Sequence, residues 1–126
     1  MKKKSTDENK SNTNNIGEML SSFDNVYSFK DGYAAVKKDE KWGFIDNSGK
    51  IVVPLEYDEV DDFRDGLAKV KRKKKEGFID KTGKVVVPLE YDEIDNFSDG
   101  LAKAKKKRKW GIIDNSGIVV VPLEYE

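Results

Sequence analysis

The sequence predicts an all-β chain of tandem antiparallel β-hairpin or meander repeats, 34 residues each, set in an open propeller-like or solenoid array. Three observations predict it. Residues 23–124 are one unit written three times without a gap, as 23–56, 57–90 and 91–124, and copies two and three differ at 11 of 34 positions. The first strand of the unit alternates apolar and polar residues with period two. Turn residues recur at fixed offsets: an Asp-Gly pair early, a (Ser or Thr)-Gly pair late, then Val-Val-Pro-Leu-Glu.

Taken in order, residues 1–15 are rich in Lys, Ser, Asn, Asp and Thr, can bury almost nothing, and are expected to form a disordered polar tail. The opening Met1-Lys2-Lys3-Lys4 resembles the start of a signal peptide, but 5–15 are polar where an apolar stretch would have to follow. No secretion signal is visible, so a cytoplasmic location is expected. No apolar run approaches the roughly 20 residues of a membrane helix, so a soluble chain without membrane insertion is expected. Residues 16–22 should form a short cap over the open end of the first repeat. Ile16, Met19, Leu20 and Phe23 have helical spacing, while Gly17 leaves an irregular apolar cap as the alternative.

Copy two shows the elements of the unit. Asp65-Gly66, like Asp31-Gly32 and Asp99-Gly100, supplies the positive-φ residue of a tight turn just before the first strand. That strand covers 67–71, with Ala68 and Val70 on one face and Leu67, Lys69 and Lys71 on the other. Phe78 and Ile79 belong to a second strand, which ends at the type I turn Asp80-Lys81-Thr82-Gly83. The return strand, 84–87, carries three valines in a row, as expected if both faces are covered, and Pro88 should end it. Residues 57–63 add a brief fourth strand, giving three to four strands per unit. Three units are too few to close a ring of 4 to 8 propeller blades. Tyr125-Glu126 reads as the start of a truncated fourth repeat, so the chain is expected to be a fragment of a longer array or to have its last layer covered by a partner or by Tyr125 itself.

Composition narrows the chemistry. Of 126 residues, 38% are charged, but 24 Lys plus Arg balance 24 Asp plus Glu, so net charge selects neither an acidic nor a basic partner. The chain has no Cys and no His, which excludes thiol catalysis, Cys- or His-ligated zinc and any Ser-His-Asp triad within it.

Trp42-Gly43-Phe44-Ile45-Asp46-Asn47-Ser48-Gly49-Lys50, followed by Ile51-Val52-Val53-Pro54 and Tyr57-Asp58, resembles the bacterial WG-containing repeat, also called the KWG repeat. Phe63-Arg64-Asp65-Gly66-Leu67-Ala68 continues the pattern, and three tandem matches cover about four-fifths of the chain. The middle copy departs from it, with Glu76 where the others have Trp42 and Trp110. The resemblance implies an all-β propeller-like or solenoid repeat with a binding role and no established catalytic activity, and it supplies no ligand. Its repeat positions here are Trp42, Gly43, Gly77, Trp110 and Gly111, with the turn glycines Gly49, Gly83 and Gly117.

The residues that could carry chemistry each admit a plainer reading. Lys71, Arg72, Lys73, Lys74 and Lys75 form a basic cluster that recurs as Lys105, Lys106, Lys107, Arg108 and Lys109, and register would set the two side by side. They read either as a ridge for nucleic acid or another polyanion, or as solvated hairpin tips offset by Glu56, Asp58, Glu59, Asp61, Asp62 and Asp65. The acidic stretch lacks calcium-loop spacing, since Phe63 falls where an oxygen ligand is needed. It reads better as a solvated edge that discourages strand pairing. Asp46, Asp80 and Asp114 read as turn-capping carboxylates. The Trp positions read as packing between layers, with the adjacent Gly letting the indole lie close, or as a stacking surface. On that packing view the middle layer, with Glu76, should be the least well buried unless Glu76 pairs with a lysine of a neighbouring tip, and Glu76→Trp should stabilise it. The expected function is a noncatalytic repeat module mediating contact with a protein partner of unknown identity. The alternative is an anionic-polymer binder using the basic ridge. Neither catalytic residue, metal nor cofactor is expected.

Overall fold

The computed structural model of the chain describes residues 22–126. The predicted tail over 1–15 and all but the last residue of the predicted cap over 16–22 lie outside the described residues. Twelve described strands form three four-stranded antiparallel sheets of one plan. Sheet one holds β1 (Asn25–Val26), β2 (Tyr33–Lys38), β3 (Lys41–Asp46) and β4 (Ile51–Tyr57). Sheet two holds β5 (Glu59–Val60), β6 (Leu67–Arg72), β7 (Lys75–Asp80) and β8 (Val85–Tyr91). Sheet three holds β9 (Glu93–Ile94), β10 (Leu101–Lys106), β11 (Lys109–Asp114) and β12 (Val119–Tyr125). Within each sheet strands pair in chain order, no ladder joins one sheet to the next, and no described residue is helical. The array is therefore all-β, tandem and not a closed barrel.

Turn chemistry sets the hairpins. Lys30 and Tyr33 exchange both backbone hydrogen bonds across Asp31-Gly32, whose φ values of 53° and 84° are those of a two-residue hairpin turn that Gly favours. At the other end of the unit, Asp80 Oδ1 accepts from Thr82 N (2.9 Å), Thr82 Oγ1 (2.6 Å) and Lys84 N (3.1 Å). Gly83 follows at φ 89°. Asp46 and Asp114 cap their turns in the same way, so these three carboxylates hold turns.

Proline does not end the return strand. Between the pairs Phe78↔Val87 and Glu76↔Tyr91 the partners advance two residues on β7 and four on β8, so β8 carries two extra residues in a bulge that contains Pro88. A proline lacks the ladder donor, and a bulge is where none is needed, so β8 runs on to Tyr91. The slack chain lies across Gly77. A Cβ there would run into Val87 O and would stand 2.9 Å from both Leu89 N and Pro88 C. Gly43 and Gly111 meet the same bulge of their own sheets. The glycine after the Trp position thus makes room for backbone and not, as expected, for an indole. Nor are the three valines covered on both faces: Val87 is fully buried, Val86 half-buried and Val85 exposed. The register shifts between the pairs Ile79↔Val85 and Phe78↔Val87, and this bulge turns Val85 away from the face that buries Val87.

Sheets bury one another in sequence. Ala35, Phe44, Val53 and Tyr57 of sheet one pack with Ala68, Val70 and Ile79 of sheet two and with Phe63 from the loop before β6. Phe78, Val87 and Tyr91 of sheet two pack likewise with Ile94, Ala102, Ala104 and Ile113 of sheet three. Ala34, Val36 and Ile45 are buried on the outer face of sheet one, with Phe23 and Leu55 against them. Burying one Ile or Val of these cores contributes about 1.5–3 kcal/mol, so a small number of contacts per junction holds each layer to the next.

Candidate functional site

The β2–β3, β6–β7 and β10–β11 hairpins end in two-residue tips, Asp39-Glu40, Lys73-Lys74 and Lys107-Arg108, whose residues all lie between φ 52° and 70°. Aspartates from the loops between sheets fix them. Asp58 accepts from Lys41 Nζ with Oδ1 and from Lys73 N with Oδ2 at 2.8 Å. Asp92 does the same for Lys75 Nζ and for Lys107 N at 2.9 Å, and Asp24 accepts from Asp39 N at 3.0 Å. One carboxylate thus ties the flank of each tip to the next tip in the array, which brings the two basic clusters together along one edge.

Half of their charge is neutralised there. Arg72 pairs with Glu56 at 3.2 Å, Lys106 with Glu90 at 2.7 Å, Lys109 with Glu126 at 3.0 Å and Lys71 with Glu59 at 4.0 Å, while Lys75 holds Asp92. Lys105 lies 5.6 Å from the centre of the Trp110 ring. Among the described residues, Lys73, Lys74, Lys107 and Arg108 have no acidic partner for their side chains. The acidic stretch is therefore more than a solvated edge, since Glu56, Asp58 and Glu59 each hold a cation. Among the described residues no group of three or more Asp or Glu is placed to hold a metal ion.

These carboxylates link stability to pH. Hydrogen bonds from Ser48, Thr82 and Ser116 hold Asp46, Asp80 and Asp114 below the ordinary aspartate value, and Lys41 and Lys75 do so for Asp58 and Asp92. A depressed folded-state pKa contributes stability that is fully present above the unfolded value, about 3.9, and is lost as pH falls through the lower folded values. The thermal midpoint should therefore be level near neutrality and drop below about pH 4, and Asp80→Asn should drop less. A midpoint flat down to about pH 3, well below that reference value, would contradict the assignment of these bonds.

The Trp position lies between layers. Trp42 is half-buried, packs on the first inter-sheet core beside Val60, and meets Tyr27 at a ring distance of 4.8 Å. Glu76 takes the equivalent place in sheet two, and its Oε1 accepts from Ile94 N at 2.8 Å. The middle layer is consequently not the poorly buried one: Phe78, Ile79 and Val87 are buried, and Ile94, larger than Val60, is only 2% exposed. Glu76→Trp should accordingly leave the urea midpoint unchanged or lower it, since an unpaired buried N–H costs about 1–3 kcal/mol against a similar gain from the ring. A raised midpoint would show that ring burial outweighs the bond.

One apolar residue per sheet stays exposed at the same repeat position: Ile51 (46%), Val85 (42%) and Val119 (44%), the first residues of β4, β8 and β12. Pro54, Pro88 and Pro122 are exposed three residues further on. Sequence reasoning missed this series because it took the valine run as wholly covered; the exposure of Val85 follows from a register shift with β7 that nothing in the run itself marks. No described helix is long and apolar enough to cross a membrane.

A profile of the family described as WG containing repeat matches residues 17–42, 42–75, 77–110 and 110–126. The matches leave out only Glu76 and the first 16 residues. No curated protein matches the chain.

Proposed function

The chain belongs to the WG containing repeat family, and from that premise we propose that it is a noncatalytic module whose task is contact with another protein. The exposed apolar series Ile51, Val85 and Val119 carries this reading, because it recurs once per layer and so extends along the array. The three strands that present it are edge strands, yet a bulge and a proline interrupt each of them. A partner would therefore be held by side-chain contact and not by strand addition. The absence of His and Cys from the sequence, and the use of Asp46, Asp80 and Asp114 in turns, support a noncatalytic role.

The test is a triple variant, Ile51→Ser, Val85→Ser and Val119→Ser, at positions whose exposure leaves the fold little to lose. Wild-type chain should capture a defined protein from an extract of its source cells in about 0.5 M salt, where exposed charges are screened, and the variant should not. Equal capture by both would overturn the reading.

A further inference from the structure

We propose that the tips Lys73-Lys74 and Lys107-Arg108 form one binding site for the backbone of a linear polyanion with a phosphate on each unit. The site uses none of the residues of the apolar series, so either reading survives the failure of the other.

Charge accounting along the edge points to it. Lys71, Arg72, Lys75, Lys106 and Lys109 all hold carboxylates, and Lys105 faces Trp110. Apart from Lys105, the cluster cations left without acidic partners are the two residues at each of two adjacent tips. Asp92 fixes their adjacency, since one carboxylate binds Lys75, beside the second tip, and the backbone N–H of Lys107, in the third. The tips are also held in a set direction, because Asp58 and Asp92 anchor the first residue of each.

Residue choice at the tips adds a second argument. Two-residue turns with positive φ favour Asn-Gly or Asp-Gly, and the same repeat uses Asp-Gly at 31–32, 65–66 and 99–100. At the tips it accepts the left-handed conformation in Lys-Lys and Lys-Arg, φ 53° and 69° and φ 52° and 70°. The equivalent tip of sheet one has the same geometry, φ 52° and 67°, but carries Asp39-Glu40, so the positive site is confined to sheets two and three. Arg72, Lys106 and Lys105 already face the rings of Tyr57, Tyr91 and Trp110, which leaves those rings covered by cations. Such a site reads polymer charge and not bases.

The probes are inorganic polyphosphate and an oligothymidylate, each titrated with the full chain at several salt concentrations. Both should bind, with the logarithm of affinity falling against the logarithm of salt with a slope of about −3, for four contacts on a single-stranded polymer. Replacing Lys73, Lys74, Lys107 and Arg108 together by Gln should weaken binding by about tenfold or more and flatten the slope. Asp39→Lys with Glu40→Lys, grafted onto a tip of the same backbone geometry, should tighten binding and steepen the slope by about 1.4. The proposal is overturned if neither polymer binds at low salt, if the fourfold Gln variant binds as wild type does, or if the oligonucleotide alone binds, which would mean base contacts.

Discussion

Gly77→Ala should lower stability by about 3 kcal/mol, the upper end of what overpacking costs, and the melting midpoint by roughly 10–20 °C. A Cβ on Gly77 collides with the carbonyl of Val87 and stands 2.9 Å from Leu89 N and Pro88 C, all of them backbone. Backbone pinned by ladder bonds on one side and by Tyr91↔Glu76 on the other cannot yield as a flexible side chain would. Gly66→Ala separates this crowding from conformational strain. Gly66 has φ 84° and nothing within 4 Å of the added carbon, so its cost should be the left-handed penalty alone, about 1–2 kcal/mol. If Gly77→Ala melts no lower than Gly66→Ala, the bulge is not what demands the glycine. Because native stability totals only about 5–15 kcal/mol, the larger loss should also be visible as weaker protection of sheet two in hydrogen exchange.

What the sequence revealed was local. The period, the Asp-Gly turns, the Asp-capped turns and the alternation of β6 all follow from residues within a few positions of one another, where propensity and turn chemistry decide the outcome. The features it hid depend on pairs far apart in the chain. Nothing beside Pro88 says that two extra residues of β8 are taken up across Gly77, because that depends on the register with β7. Nothing beside Glu76 says that its carboxylate accepts the N–H of Ile94, 18 residues on. A signal was present even so: where Trp42 becomes Glu76, Val60 of the following layer becomes Ile94, a paired change that fits a shared junction. The basic clusters were legible as clusters, but not their division into paired flanks and free tips. That division depends on Glu56, Glu90 and Asp92 reaching cations 16 or 17 residues away.

The second large effect is expected at Tyr91, whose ring is 4% exposed and packs with Ile94, Ala104 and Ile113 of the next sheet. Removing a buried aromatic ring costs about 3–5 kcal/mol, from lost burial and from the cavity left behind. Tyr91→Ala should therefore loosen sheet three from sheet two and lower the urea midpoint strongly. Tyr57→Ala should do the same one junction earlier, since that ring is 2% exposed. The third tyrosine of the series provides the control. Tyr125 ends β12 as Tyr91 ends β8 and pairs with Trp110 as Tyr91 pairs with Glu76, but it is 58% exposed, because no described sheet lies over it. Tyr125→Ala should cost no more than about 1 kcal/mol, since most of its ring is already in water and surface substitutions seldom do more. The three variants remove the same atoms from the same repeat position, so local strand propensity cancels in the comparison and the difference reports the contact between layers. If Tyr125→Ala proves as damaging as Tyr91→Ala, the tyrosines act within their own sheets, and the layers must be held together by the Asp58 and Asp92 clips instead.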